Sequence, residues 1–182
     1  MREKQFVKEL SLIRDPRLLT YAKYMLQQLP EYFFHVAASS TGKYHPAYTL
    51  GDGGLVRHTK AAIQVAESLM QLKMFNIREE HDYIIVALLL HDGWKHGLTD
   101  VAGHTVFEHP RIAAEQVLQI RDNIIQQNEK EYIASLIITH MGQWTTCSYS
   151  QEVLPEPHTA AEQLVHLSDY IASRKNIEVK LD

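Results

Sequence analysis

Six residues of this chain have the types and order that metal chemistry needs: His58, His91, Asp92, His109, His140 and Asp169. Each has an ordinary reading by itself. A histidine on an apolar face is a hydrogen-bonded core residue, Asp169 a satisfied or solvated carboxylate, and His91-Asp92 a frayed helix end. Together they are harder to explain without a ligand. Burying several unpaired imidazoles and carboxylates in one core is costly, because each loses its hydration. A bound cation supplies the missing partner. With 3.6 residues per turn, the adjacent His91 and Asp92 project about 100° apart. Both can therefore flank one ion while the second carboxylate oxygen reaches another. Imidazole and carboxylate without thiolate suit iron, manganese, zinc or other divalent ions (magnesium, nickel, cobalt) rather than a structural zinc site.

The elements that must position these residues read as helix after helix. Asp15-Pro16 is a start signal, with Asp as N-cap and Pro at the first helical position. Leu18, Leu19, Ala22, Met25, Leu26 and Leu29 then keep the helical period up to Pro30. Residues 39–54, SSTGKYHPAYTLGDGG, read as a long loop. Leu55, His58, Ala62, Val65, Ala66 and Leu69 share a helical face, which puts His58 in line with the core. Asn76-x-x-Glu79 resembles a capping box ahead of the apolar run Ile84–Leu90, and that run predicts a central helix ending at His91-Asp92. Further helices are expected from Pro110 to about Ile120 and from Glu129 to Met141. A last one follows the capping box Thr159-x-x-Glu162. Strand signals are weak, confined to short pieces such as Ile177-Glu178-Val179. The expected fold is an all-α, single-domain helical bundle over residues 1–182, with the metal-site core at about 53–174 and residues 1–52 forming an N-terminal helix and a substrate-side loop.

Composition narrows the function. The chain has 182 residues, 45% apolar and 22% charged, with a formal net charge of −4. That balance argues against a nucleic-acid coating protein, which relies on Lys and Arg to neutralise phosphates, but leaves room for a site taking one nucleotide or strand end. The single cysteine, Cys147, allows no internal disulfide, and MREKQFVKEL carries charges where a signal peptide needs an apolar stretch. The longest apolar run is too short to span a bilayer. A cytoplasmic protein without membrane association is expected.

The order of the six residues resembles the HD-domain superfamily of metal-dependent phosphohydrolases, from about Gly53 to Arg174. GGLVRHTKAAIQVA is similar to the first histidine motif of that superfamily, and LLLHDGWKHG to its signature His-Asp pair followed by a lysine. FEHPRIAAE resembles the His-Pro-x-x-Gly-Ala element, with Ala113 in place of glycine. ITHMGQW and PEPHTAAEQLVHLSDYIASR match the last two ligand helices. The wording is closest to the HD domains of certain 3′-to-5′ exoribonucleases and of phage and bacterial relatives. Trp94 stands before Lys95 where an aliphatic residue is usual. His104 competes with His109 for the middle ligand position; the helix start and Ala-Ala pattern favour His109.

The resemblance implies a binuclear site, with His58, His91, Asp92, His109, His140 and Asp169 as ligands and Asp92 bridging. It implies hydrolysis of a phosphoester of a nucleotide or nucleic-acid end, with a hydroxide between the ions as nucleophile. Lys95 would contact the phosphate and stabilise developing charge. Lys43, Tyr44 and His45 in the 39–54 loop, with Arg57 beside His58, are candidates for substrate contact; TGKY itself lacks the spacing of a P-loop. Two other readings stay open, a di-iron oxygenase on the same ligand set and a non-catalytic binding module. His35, His81, His158 and His166 read as surface or capping residues, and Trp94 and His96 have no role beyond packing and solvent.

Overall fold

The computed structural model describes residues 2–75, 77–99, 103–177 and 179–181. Among these the chain is all-helical, built from α1 (Val7–Leu10), α2 (Pro16–Gln28), α3 (Gly54–Leu69), α4 (His81–Leu90), α5 (His109–Gln119), α6 (Gln127–Ile138) and α7 (Ala160–Ala172), with short 3-10 turns between them. No helix among the described residues is long and apolar enough to cross a membrane.

Helix starts follow local chemistry. The Asp15 carboxylate accepts the Arg17 N–H at 2.7 Å and Pro16 opens α2, so one free N–H is satisfied and another never exists. Thr159 and Glu162 form the expected capping box on α7. A second box, between Gln126 and Glu129, starts α6 slightly before the position expected from Glu129. The start of α4 also differs from the sequence reading. It opens at His81 behind a 3-10 turn with Glu80 at the cap, and Asn76 lies outside the described residues. The weak strand signal at 177–179 gives no strand in its described residues, as an all-α fold requires, and Glu178 lies outside them.

Helix α4 is the axis of the molecule. Every side chain from Ile84 to Leu90 is at most 1% exposed, because α2, α3, α6 and α7 pack around it. A helix apolar on all sides has no face to give to water. Truncating one such leucine to alanine typically costs about 2–5 kcal/mol, so the helix is held hard in place. It ends at Leu90 with His91 as its C-cap, delivering His91 and Asp92 from the densest part of the core.

The loop before α3 is fixed by close backbone approach. A Cβ on Gly54 would lie 2.1 Å from the Thr49 carbonyl oxygen, so only glycine lets residues 46–50 cross the helix start. Arg57 donates through Nε to the Tyr48 carbonyl at 2.5 Å and through Nη2 to that of Leu50 at 3.0 Å. Its guanidinium is thereby committed to the loop backbone. His81 also departs from the surface role its sequence context suggested. It is 7% exposed, with Nε2 2.7 Å from Glu67 and Nδ1 2.8 Å from Asp82. The second Asp82 oxygen accepts the N–H groups of Arg14 and Asp15, so this histidine ties α3 and α4 to the segment entering α2.

Candidate metal centre

The six histidines and aspartates singled out in the sequence meet at one place. His58 comes from the middle of α3, His91 and Asp92 from the end of α4, His109 from the first position of α5, and Asp169 from α7. His140 lies in the turn just after α6, which ends at Ile138 rather than reaching Met141 as the pattern suggested. All are buried except Asp169, whose side chain is 19% exposed. Their ligand atoms form two groups, each with all atoms within 4.8 Å of one another: His58, His91, Asp92 and Asp169, and Asp92, His109 and His140. That spread suits nitrogen and oxygen donors held about 2.0–2.2 Å from a shared ion.

Asp92 belongs to both groups through different oxygens. Its Oδ2 lies 3.5 Å from His91 Nε2 and 3.6 Å from His58 Nε2, while Oδ1 lies 3.2 Å from His109 Nε2 and 3.9 Å from His140 Nε2. Asp169 Oδ1 completes the first group, 2.9 Å from His58 Nε2 and 3.6 Å from His91 Nε2.

The imidazole tautomers are set from outside the cluster. His91, His109 and His140 each place Nδ1 2.7 Å from a carbonyl three residues earlier, those of Leu88, Val106 and Ile137. A carbonyl can only accept, so Nδ1 carries a proton in each ring, and in its neutral form each ring presents an Nε2 lone pair inward. The two lone pairs of His109 and His140 then face each other at 3.2 Å. His91 Nε2, Asp92 Oδ1 and His58 Nδ1 are buried without a hydrogen-bond partner. Inward lone pairs and carboxylate oxygens at such spacing require protons or cations between them. One cation per group would satisfy three or four of these atoms at once, and the donor set fits a divalent metal.

Electrostatics point the same way. Burial opposes charge on both aspartates. Lys95 and His91 nonetheless hold Asp92 well below the ordinary carboxylate range, and the His58 imidazole 2.9 Å away, with that of His91 beside it, does the same for Asp169. Burial also opposes charge on His91, but Asp92 and Asp169 outweigh it and raise its pKa. His140 is pushed down to about 3 by burial and by the neighbouring His91 and His109, so it is neutral.

Lys95 is buried, and its ammonium donates to Asp92 Oδ2. It also lines a cleft of about 520 Å³ that opens over Asp92, His109, His140 and Asp169. Of the loop candidates, Tyr44 and His45 line this cleft. His45 has a buried Nδ1 without a partner, its ring is 5.8 Å from that of His58, and burial holds its pKa down to about 4. Lys43 and Arg57 do not line it; the Lys43 ammonium lies 5.0 Å over the Tyr44 ring and Arg57 serves the loop backbone. His104, the competitor of His109, is exposed and belongs to neither ligand group.

Sequence reasoning missed one wall of the cleft. His166 is a wall residue rather than a surface one, with Nδ1 2.8 Å from the His140 carbonyl. Trp144, Tyr170 and Arg174 line the same wall. The signals were present: Gly142 marks a turn between His140 and Trp144, Tyr170 adjoins Asp169, and Arg174 lies one helical turn beyond Tyr170. His96 has a definite place as well, stacked on Tyr32 at 5.1 Å.

The architecture is thus a helical fold with a buried His/Asp cluster able to hold metal. Comparison of the chain with protein-family models, with curated proteins and with solved structures finds no match.

Proposed function

We propose that this chain is a metal-dependent phosphohydrolase or phosphodiesterase of the HD-domain type, acting on a phosphoester of a nucleotide or nucleic-acid end. The observation that carries the reading is the division of Asp92, one oxygen to each ligand group. In this reading His58, His91, Asp92 and Asp169 would hold one divalent ion, and Asp92, His109 and His140 a second. Such ions polarise phosphoryl oxygens and make water acidic enough to attack at neutral pH.

The chain's own residues supply the rest. The three carbonyl-anchored imidazoles keep their Nε2 lone pairs fixed, so little reorganisation accompanies metal loading. The Lys95 ammonium, held by Asp92 and facing the cleft, is placed to pair with a phosphoryl oxygen and stabilise charge that builds on it. The buried floor limits competing water.

The test is metal analysis of the purified protein, followed by a screen of phosphomonoesters, cyclic nucleotides and short oligonucleotides with Mn²⁺ or Fe²⁺. Turnover that Asp92→Ala abolishes is the expected result. A di-iron centre consuming O₂ with an organic phosphonate or polyol would replace hydrolysis with oxygenation. Absence of co-purifying metal, together with an Asp92→Ala protein of unchanged stability and activity, would leave a non-catalytic binding module.

A further inference from the structure

One wall of the cleft is a column of stacked planar groups. The Arg174 guanidinium lies 4.4 Å from the Tyr170 ring centroid and 5.4 Å from that of Tyr44. Tyr170 in turn stacks on Trp144, 5.4 Å between centroids and 14° between planes. The ends of the column are open, with Tyr44 52% and Trp144 42% exposed. Large aromatic surface lining a concave site, with a few charged groups beside it, is the make-up of a small-molecule site.

Trp144 is tied to the metal centre through the turn that presents His140. Gly142 in that turn has φ +63°, and a Cβ there would lie 2.1 Å from the His166 ring, so this residue has to be glycine. The His166 imidazole fills the space, bonds the His140 carbonyl and packs 5.9 Å from Trp144. The column is anchored to the loop as well, because the Lys175 N–H donates to the Tyr44 carbonyl at 2.8 Å. A ligand reaching the ligand cluster beside Lys95 therefore has a flat aromatic surface on one side and the Arg174 cation within it.

We infer that Trp144 and its column with Tyr170 and Arg174 form a base-stacking subsite, and that the cleft selects a mononucleotide over phosphates lacking an aromatic base. The inference rests on the phosphoester reading for the position of the phosphate, at Lys95 and the ligand cluster. A planar base extends the column at Trp144, gaining dispersion and π-stacking that any of the four bases provides. Arg174, fixed between two rings, is a positioning residue that also places positive charge at the mouth of a chain with net charge −4. A cleft of about 520 Å³ matches one nucleotide, and a net charge of −4 works against holding a long strand.

The test measures binding of the four nucleoside 5′-monophosphates and of ribose 5-phosphate to the Mn²⁺-loaded protein, as Kd where no turnover occurs and KM where it does. The tightest nucleotide is expected to bind at least about tenfold better than ribose 5-phosphate, the scale of one base on one aromatic ring. Trp144→Ala brings that ratio close to one by weakening nucleotide binding far more than ribose 5-phosphate binding, and Trp144→Phe keeps most of it. Equal affinity of wild type for both ligand types, an equal loss of both in Trp144→Ala, or no saturation by any of them at millimolar concentration would overturn the subsite. Base preference without phosphate release from any ester would leave the subsite standing and remove hydrolysis. Hydrolysis of ribose 5-phosphate and nucleotides with the same KM would do the reverse.

Discussion

Asp92→Asn is the sharpest perturbation of the centre, because one carboxylate faces both ligand groups. Asparagine keeps the volume at a site 1% exposed, so packing around the end of α4 is preserved. It removes the charge and replaces one inward oxygen with an amide NH₂ that cannot bind a cation. The group facing the NH₂ is left with its other ligands alone, and the group facing the remaining amide oxygen keeps only a neutral donor in place of a shared carboxylate. Asp169→Asn touches the first group alone, which makes it the natural control. The size of the effect follows from linkage. Metal at 100 times its Kd stabilises the folded state by about 2.7 kcal/mol. For a chain of this length 1 kcal/mol moves Tm by about 2–4 °C, so removing saturating metal should lower Tm by about 5–11 °C. The assay is metal content per chain after equilibrium dialysis against Mn²⁺, together with thermal unfolding with and without chelator. Because the chelator shift is read within each variant, the loss of the Lys95 partner cancels. Wild type should show the full shift, Asp169→Asn about half the metal, and Asp92→Asn little metal and almost no shift. Wild-type metal content and an undiminished chelator shift in Asp92→Asn would refute the shared-ligand reasoning.

Three further outcomes follow from the same geometry. His91 is held above its ordinary value of 6.5 in the metal-free protein, so metal binding near that pH should release a proton, and titration calorimetry in buffers of different ionisation enthalpy should give different heats. The release fades as pH rises through the raised value; identical heats in both buffers at pH 6.5 would contradict it. Lys95→Met should keep its metal, checked by the same dialysis, while turnover on any ester found falls by about 10²–10³-fold, the loss typical of one charge-stabilising donor. Gly142→Ala forces a side chain into the left-handed region and against His166, and calorimetry should show Tm lowered by at least about 2 °C, since the backbone cost alone is about 1–2 kcal/mol.

The helical architecture was legible because α2 and α7 carry clean periods and caps and α3 a clean period, and α4 could be read as central because Ile84–Leu90 has no polar face. The six candidate ligands were legible by residue type and order. The cleft wall was not. Tyr44, Trp144 and Arg174 come from a loop, a turn and the residue just past a helix cap, and their stacking depends on three-dimensional approach that no local period encodes. His81 was misread for a related reason. Its partners are a neighbour in sequence and Glu67 on another helix, so its burial follows from the packing of α3 on α4. Arg57 looked like a substrate contact beside His58, yet the loop carbonyls of Tyr48 and Leu50 compete for its donors and win.

The carbonyl anchoring of His91, His109 and His140 also bears on how this centre tolerates mutation. Where a side chain orients a histidine, one substitution can delete the acceptor and free the ring to flip. Here the acceptors are peptide oxygens at positions 88, 106 and 137, which every amino acid provides. Side chains at those positions can be exchanged for others of suitable bulk without touching the tautomers, as long as the helix ends keep their course. The chemistry of the centre is therefore insulated from its immediate neighbours and exposed instead to changes in backbone path, such as those at Gly142 or the α4 terminus.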